Sequence, residues 1–276
     1  MTRFGPWQGG GKLSAELTAV VLTKNEERNV ASCLETLRWA NRLLVLDSFS
    51  QDATVALARE AGALVHQSPF VNWPVQRNLG LQLAETPWVL FVDADERVSP
   101  KLAEEIRRAL NANQEERGSE PPVGYWIPRR NYIFGHWVRH AGWSPDYQLR
   151  LLFRAKVRYD ETREVHELVI LEGAEGRLEE PLIHYNYDTL EQFLAKQERY
   201  AFHQARTLYH QGVRVRARNF ILQPLREFHR RYVTWKGYRE GWLGFQLSLL
   251  MAYYEWRMYR QLRSFWQEER PPHNCL

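Results

Sequence analysis

The sequence predicts an α/β fold, a mostly parallel sheet with helices on both faces, followed by a C-terminal helical extension. Three observations lead there. Apolar runs in the first hundred residues (LTAVVLT at 17–23, RLLVLDS at 42–48, ALVHQ at 63–67, WVLFVDAD at 88–95) alternate with stretches of helical periodicity. The runs are continuous, as expected of strands covered on both faces. From Thr189 the pattern is helical to the end.

Taken in order, the first run leads through a polar turn into a helix with Val30, Cys33, Leu34 and Leu37 on one side. The second precedes DATVALAREAG, a helix capped by Asp52 and stopped by Gly62. Pro74 opens a helix after the third run, and Ser99-Pro100 starts SPKLAEEIRRAL after the fourth. The polar, proline-ended segment 111–122 reads as a surface loop. Shorter, aromatic-rich strand candidates follow: YWIPRRNYIFGHWV, YQLRLLF and ELVILEG. The expected divisions are 1–16, a loose glycine-rich tail; 17–115 and 116–188, two halves of one domain; and 189–276, the helical region.

Composition narrows the class. With 276 residues, 44% hydrophobic and 25% charged, the chain can bury a sizeable core. Its net charge of +4 conceals an asymmetry: from residue 190 onward 15 Lys and Arg stand against 7 Asp and Glu, with 17 of the 36 aromatic residues. Cys33 and Cys275 make no plausible disulfide framework, which fits a reducing cytoplasm. No apolar leader is visible, and the longest apolar stretch, Gly241 to Tyr254, falls short of the roughly 20 residues that span a bilayer.

The strongest chemical signal is Asp93-Ala94-Asp95-Glu96, acidic residues where a buried strand ends. Ligands of a doubly wound sheet gather at the carboxyl ends of its strands. An Asp-x-Asp there suits a hard divalent cation with sites left for phosphate oxygens. The same residues would also serve a strand end that only needs to reach water. Asp47 ends the second strand, where an acidic residue can accept from a ribose or base. A dinucleotide-binding fold is excluded because the turn Thr23-Lys24-Asn25-Glu26-Glu27 has no glycine. Arg77, in Gln76-Arg77-Asn78, is placed to reach a diphosphate or to sit on an exposed helix face.

Together, TKNEERN, LDSFSQDAT, QRNLGLQLA and FVDADE resemble family 2 of the inverting glycosyltransferases, which have a GT-A (Rossmann-like) fold. Ser48-Phe49 stands where that family often carries Asp-Gly. The stretch GYWIPRRNYIFGHWVRHAGWSPDYQLRLLFR with EVHE is similar to a bacterial subgroup acting on the lipopolysaccharide inner core, some of whose members transfer glucose. The resemblance implies transfer of a hexose, glucose, from a nucleotide sugar (a UDP-sugar) to a hydroxyl of a cell-envelope glycan or glycolipid such as lipopolysaccharide core. It implies that residues 17–115 bind the donor and 116–188 the acceptor. Thr23, Asn25, Glu26, Asp47, Arg77, Asp93 and Arg150 would hold the donor. Asp93 and Asp95 would hold a divalent metal (Mn²⁺ or Mg²⁺), with His166 either a further ligand or a satisfied strand histidine, and Asp146 would be the catalytic base, with Glu167 as its understudy. Arg150 and Arg154 would each contact phosphate or stand as a solvated strand arginine.

Two rivals remain. A haloacid-dehalogenase-type phosphatase would use Asp93 and Asp95 as nucleophile and acid, but that motif belongs on a first strand, and here it follows the fourth run. A non-catalytic membrane-peripheral scaffold would not need both aspartates and a base.

The tail is expected to form a helix over 189–211, a stretch broken or kinked at Pro224, and a last helix bearing Arg257, Arg260 and Arg263 among aromatics. These helices either only pack on the catalytic core or also rest on an anionic membrane surface, at the inner face of the cytoplasmic membrane. No nucleic-acid motif accompanies the basic residues.

Overall fold

β1 (Leu17–Thr23) is buried at every position. The computed structural model describes residues 16–115, 121–161 and 169–268. The chain forms two units, Met1–Arg130 with Asp146–His184, and Asn131–Pro145 with Tyr185–Leu276.

In the first unit, β2 (Arg42–Asp47), β3 (Leu64–Gln67) and β4 (Trp88–Asp93) join β1 in the order β3-β2-β1-β4, all parallel. The crossovers carry α1 (Val30–Glu35), α2 (Thr54–Glu60) and α3 (Trp73–Leu83). After β4 come β5 (Glu96–Arg97), α4 (Pro100–Glu115), β6 (Gly124–Ile133), β7 (His136–Trp137), β8 (Tyr147–Phe153), β9 (Val157–Tyr159), β10 (Val169–Leu171), β11 (Glu175–Arg177) and β12 (Leu182–Tyr187). β8 lies antiparallel to β4, and the sheet continues through β6, β12 and β5. β9 and β10 form a separate antiparallel pair.

Alternate residues of β1 serve two cores. Leu17, Ala19 and Val21 join α1 and α4 through Val30, Leu34, Leu102 and Ile106. Val20 and Leu22 join α3 and the underside of β4 through Leu81, Val89 and Phe91. Both faces are therefore covered, as the continuous apolar runs require. Each fully buried Leu or Phe contributes about 1.5–3 kcal/mol. α3 lies flush on the sheet at Gly80, where a Cβ would stand 2.8 Å from the Phe91 ring.

In the second unit, β6 turns into β7 through Phe134 and Gly135, both at positive φ (52° and 77°), a twist that suits a tight hairpin. α5 (Leu190–His210) starts at a capping box between Thr189 and Gln192. α6 (Asn219–His229) and α7 (Gly241–Glu268) complete the bundle, and α7 packs on both α5 and α6. Phe193, Ala201, Ala205, Leu247, Met258 and Leu262 are among its buried residues.

Three local expectations change. Residues 111–115 continue α4, because no Gly or Pro interrupts the chain before Gly118. Asp52 is not the residue at the cap of α2: Ala53 holds that place, and Asp52 bonds the Thr54 amide from one position upstream. α6 runs through Pro224, which breaks nothing there. Residues 1–15 of the expected tail, and His166 and Glu167, lie outside the described residues.

Candidate active site

Parallel pairing brings three carboxyl ends together, with Thr23 in register with Asp47 and Leu22 with Asp93. The loops that follow β1 and β2 are cross-linked. Lys24 Nζ donates to the carbonyls of Ser48 (2.7 Å) and Phe49 (2.8 Å). Asn25, at φ 55°, donates its amide to Ser50 Oγ and accepts the Gln51 amide on its side chain. Glu26 N donates to Thr54 Oγ1 at 2.7 Å, while Glu27 N reaches Asp52 and Glu27 Oε2 accepts from Ala53 N. Two glycine-free loops thus hold each other in shape.

Asp47 is the knot beneath them. Its buried carboxylate accepts from Thr23 Oγ1 (3.0 Å), Ser50 N (2.9 Å), Gln67 Nε2 (2.9 Å) and Ser50 Oγ. Burial pushes the carboxyl up, but bonds from Ser50, Gln67 and Thr23 outweigh it and hold Asp47 below the usual carboxylate range. Its oxygens are therefore already engaged by the protein.

At the end of β4, Asp93 keeps 29% of its side chain exposed and is gripped by buried Arg150, whose Nη2 meets Oδ2 and whose Nη1 lies 3.3 Å from Oδ1. Arg77 Nη2 lies 3.6 Å from Oδ1, its guanidinium over the Phe91 ring at 5.2 Å. Burial raises the Asp93 carboxyl, yet Arg150 and Arg77 hold it far below the usual range. The fully buried Glu96 accepts the Asp93 amide at 2.9 Å and places Oε1 3.6 Å from Arg150 and 3.5 Å from Arg129. Arg97 braces the turn from below through the Ala94 and Glu96 carbonyls, both at 2.8 Å.

Arg129 passes the chain of charges on. Its Nε donates to Asp146 Oδ2 at 2.8 Å, and its amide to the Asp146 carbonyl at 2.7 Å. Gln148 donates to Asp146 Oδ1 at 2.8 Å. Burial lowers the Arg129 pKa, but Glu96 and Asp146 outweigh it and keep it firmly charged. Asp93, Arg150, Glu96, Arg129 and Asp146 therefore make a continuous alternation of charge.

Asp95 faces elsewhere. Its carboxylate, 24% exposed, lies 3.4 Å from Nε2 of buried His184 on β12, whose neighbour in the sheet is Glu96. Carboxylate oxygen and imidazole nitrogen are donors that Mn²⁺ or Mg²⁺ accepts. No group of three or more His, Cys, Asp or Glu converges among the described residues. Two protein donors with the rest from phosphate and water is the pattern of a substrate-bridging cation, and this pair fits it.

The structure thus brings Thr23, Asn25, Glu26 and Asp47 to one edge, joins Arg77 and Arg150 to Asp93, and connects Asp146 to them. Arg154 is not among them. β8 runs antiparallel to β4, so four residues beyond Arg150 the chain is at the opposite edge, where the Arg154 amide donates to the Pro87 carbonyl. Sequence reasoning missed Glu96 as an internal counter-charge, Arg129 and His184. A histidine in LIHYNY carries no sign of its partner until β12 is known to pair with β5.

Residues 18–158 match the family model described as Glycosyl transferase family 2. Over 244 residues the chain is 29% identical to the lipopolysaccharide core biosynthesis glycosyltransferase LpsC of Rhizobium meliloti, covering 86% of this chain and 88% of that protein. It is 26% identical over 261 residues to a glycosyltransferase of Rickettsia conorii, with 91% of each chain covered. Among solved structures, a fragment of S. aureus TarS in complex with UDP superposes with a TM-score of 0.45 at 14% identity, covering 95% of this chain and 94% of that one.

Proposed function

The chain belongs to glycosyl transferase family 2, and we propose that it is an inverting, metal-assisted hexosyltransferase. It moves glucose from a UDP-sugar to a hydroxyl of a cell-envelope glycan or glycolipid of the lipopolysaccharide-core kind. The observation that supports this reading is the charge chain from Asp93 to Asp146, which links the end of β4 to a candidate base. The relation to LpsC supports the envelope acceptor.

In the proposed reaction the acceptor oxygen attacks the anomeric carbon from the side opposite the diphosphate. The bond from that carbon to the diphosphate oxygen breaks, and the nucleoside diphosphate leaves. Asp146 takes the hydroxyl proton as general base. Arg129 and Gln148 fix its orientation. Asp95 and His184 would hold the divalent cation, which supplies Lewis-acid neutralisation of the departing diphosphate. Arg77 and Arg150 set Asp93 toward the nucleotide, while the cross-linked loops after β1 and β2 frame the base and ribose. A phosphatase would need Asp93 as a free nucleophile, and the grip of Arg150 on both its oxygens opposes that.

No described helix is long and apolar enough to cross a membrane. The glycolipid acceptor places the enzyme at the inner face of the cytoplasmic membrane, as a peripheral protein. A thermal-shift panel of UDP-, GDP- and dTDP-sugars, with and without Mn²⁺, tests the donor. A UDP-sugar at 100 times its dissociation constant should add about 2.7 kcal/mol. If no nucleotide sugar stabilises the protein in either condition, the reading is wrong.

A further inference from the structure

Residues 213–242 of the second unit carry eight Arg and Lys (214, 216, 218, 226, 230, 231, 236 and 239) against two acids, Glu227 and Glu240. Both acids are engaged within the fold: Glu227 pairs with Arg230 and Arg231, and Glu240 lies 2.6 Å from the His140 ring nitrogen Nδ1. The same thirty residues hold eight of the nineteen large hydrophobic side chains that the described residues leave exposed. Ordinary surfaces scatter such side chains singly, and clustering marks an interaction site.

The cluster has a definite geometry. At 100° per residue, Ile221, Leu225 and Phe228 follow one another at i, i+4 and i+7 along α6. Ile221 and Leu225 stand 64% and 60% exposed, with Leu222 beside them. Arg218 and Arg226, both exposed, flank this arc. Half-buried Phe228 meets Phe245 of α7 at 5.8 Å, and Phe245 stacks at 5.3 Å on Trp242, which is 70% exposed. A ladder of rings therefore extends the aliphatic arc to an open indole. The final helix is differently occupied: Arg257 pairs with Glu198, Arg260 lies over Trp256 and Arg263 over Phe220.

We propose that the exposed face of α6 (Ile221, Leu222 and Leu225, with Arg218 and Arg226), together with Trp242 at the start of α7, docks on the surface of an anionic lipid bilayer. It deepens the peripheral-membrane part of the proposed function and rests on it. Aliphatic side chains enter the acyl boundary, an indole suits headgroup depth, and guanidinium groups meet lipid phosphates. Charge selects the occupant: Arg218 and Arg226, which form no salt bridge with another described residue, border apolar side chains and call for a partner that is apolar within and anionic at its rim.

The test is flotation of the full chain with phosphatidylcholine vesicles, with or without phosphatidylglycerol, at low and high salt. The variants are I221S/L222S/L225S and R218Q/R226Q, all at exposed positions. Wild type should float with the anionic vesicles at low salt, lose binding as salt screens it, and ignore neutral vesicles. Either variant should float at least five-fold less while keeping its circular dichroism. The inference is overturned if wild type stays at the bottom with anionic vesicles, or if both variants float as well as wild type. It is also overturned if sedimentation without lipid shows a dimer that the triple-serine variant abolishes, which would make this face a self-interface. UDP-glucose binding, followed by thermal shift on the same preparations, separates the two readings. Binding without flotation sinks only the docking face, and flotation without binding sinks only the transferase.

Discussion

Arg150 closes on Asp93 with both terminal nitrogens, and the same guanidinium lies 3.6 Å from the fully buried Glu96. Removing it takes the nearer cation from Asp93, leaving Arg77 at 3.6 Å, and one of two cations from Glu96, leaving Arg129 at 3.5 Å. Arg150→Met should destabilise the protein by about 3 kcal/mol, as for a buried pair stripped of one partner. At about 2–4 °C per kcal/mol, that lowers the unfolding midpoint by roughly 6 to 12 °C. Differential scanning calorimetry checks this, and an unchanged midpoint would show that the pair only breaks even.

The same contact has a pH signature. The folded-state pKa of Asp93 is depressed by Arg150 and Arg77 against the pull of burial. Its contribution is therefore full above the unfolded carboxylate value of about 3.9 and is lost as pH falls through the folded one. The gap in urea-unfolding free energy between wild type and Arg150→Met should be widest above about pH 5 and narrow in acid. A gap that widens in acid would reverse the assigned sign.

Asp95 and His184 should act together. Asp95→Asn and His184→Ala are each expected to abolish the Mn²⁺-dependent part of UDP-sugar stabilisation, and Asp93→Asn to weaken donor binding with a smaller effect on the metal. Isothermal titration with and without Mn²⁺ reads both quantities. Unchanged metal dependence in His184→Ala would leave Asp95 without its partner donor.

Asp146→Asn keeps the shape and the Arg129 contact but removes the proton acceptor. Turnover should fall by roughly 10² to 10⁴ with donor affinity nearly intact. Steady-state kinetics alongside donor titration separates the two, and an equal loss of donor affinity would make Asp146 structural.

Cys33 offers a probe of the fold. Burial pushes its thiol far above the usual range, with Arg97 opposing and Glu96, Asp95 and Asp93 adding to the rise. In a Cys275→Ser background, Cys33 should resist iodoacetamide up to about pH 9 and react only on unfolding, as read by mass spectrometry. Rapid modification of the native protein would contradict its place behind the Asp93 carbonyl.

How far the sequence carried these conclusions differs by element. The parallel half was legible because β1 and β4 are continuous apolar runs, a pattern only two-sided cover explains. Asp93 and Asp95 were visible as candidates because strand ends can be located from such runs. His184, Arg129 and Glu96 were not, since their partners lie up to 89 residues away, as Asp95 does from His184, and are brought near only by antiparallel pairing of β6, β8 and β12. Of the two readings open for Arg154, direction along β8, invisible in spacing, favours the one away from the phosphates. In α6, propensity pointed to a break at Pro224, whereas packing against α7 carries the helix through it.

The mutual bonding of the loops after β1 and β2 has a consequence for engineering. Lys24, Asn25 and Glu27 reach across to carbonyls, amides and carboxylates between Ser48 and Ala53, so neither loop owns its own conformation. Transplanting residues 24–29 alone from a relative with another donor preference would leave the recipient loop without its counterparts. Only an exchange of both segments as one cassette, with Asp47 retained as its anchor, should carry a new preference over intact.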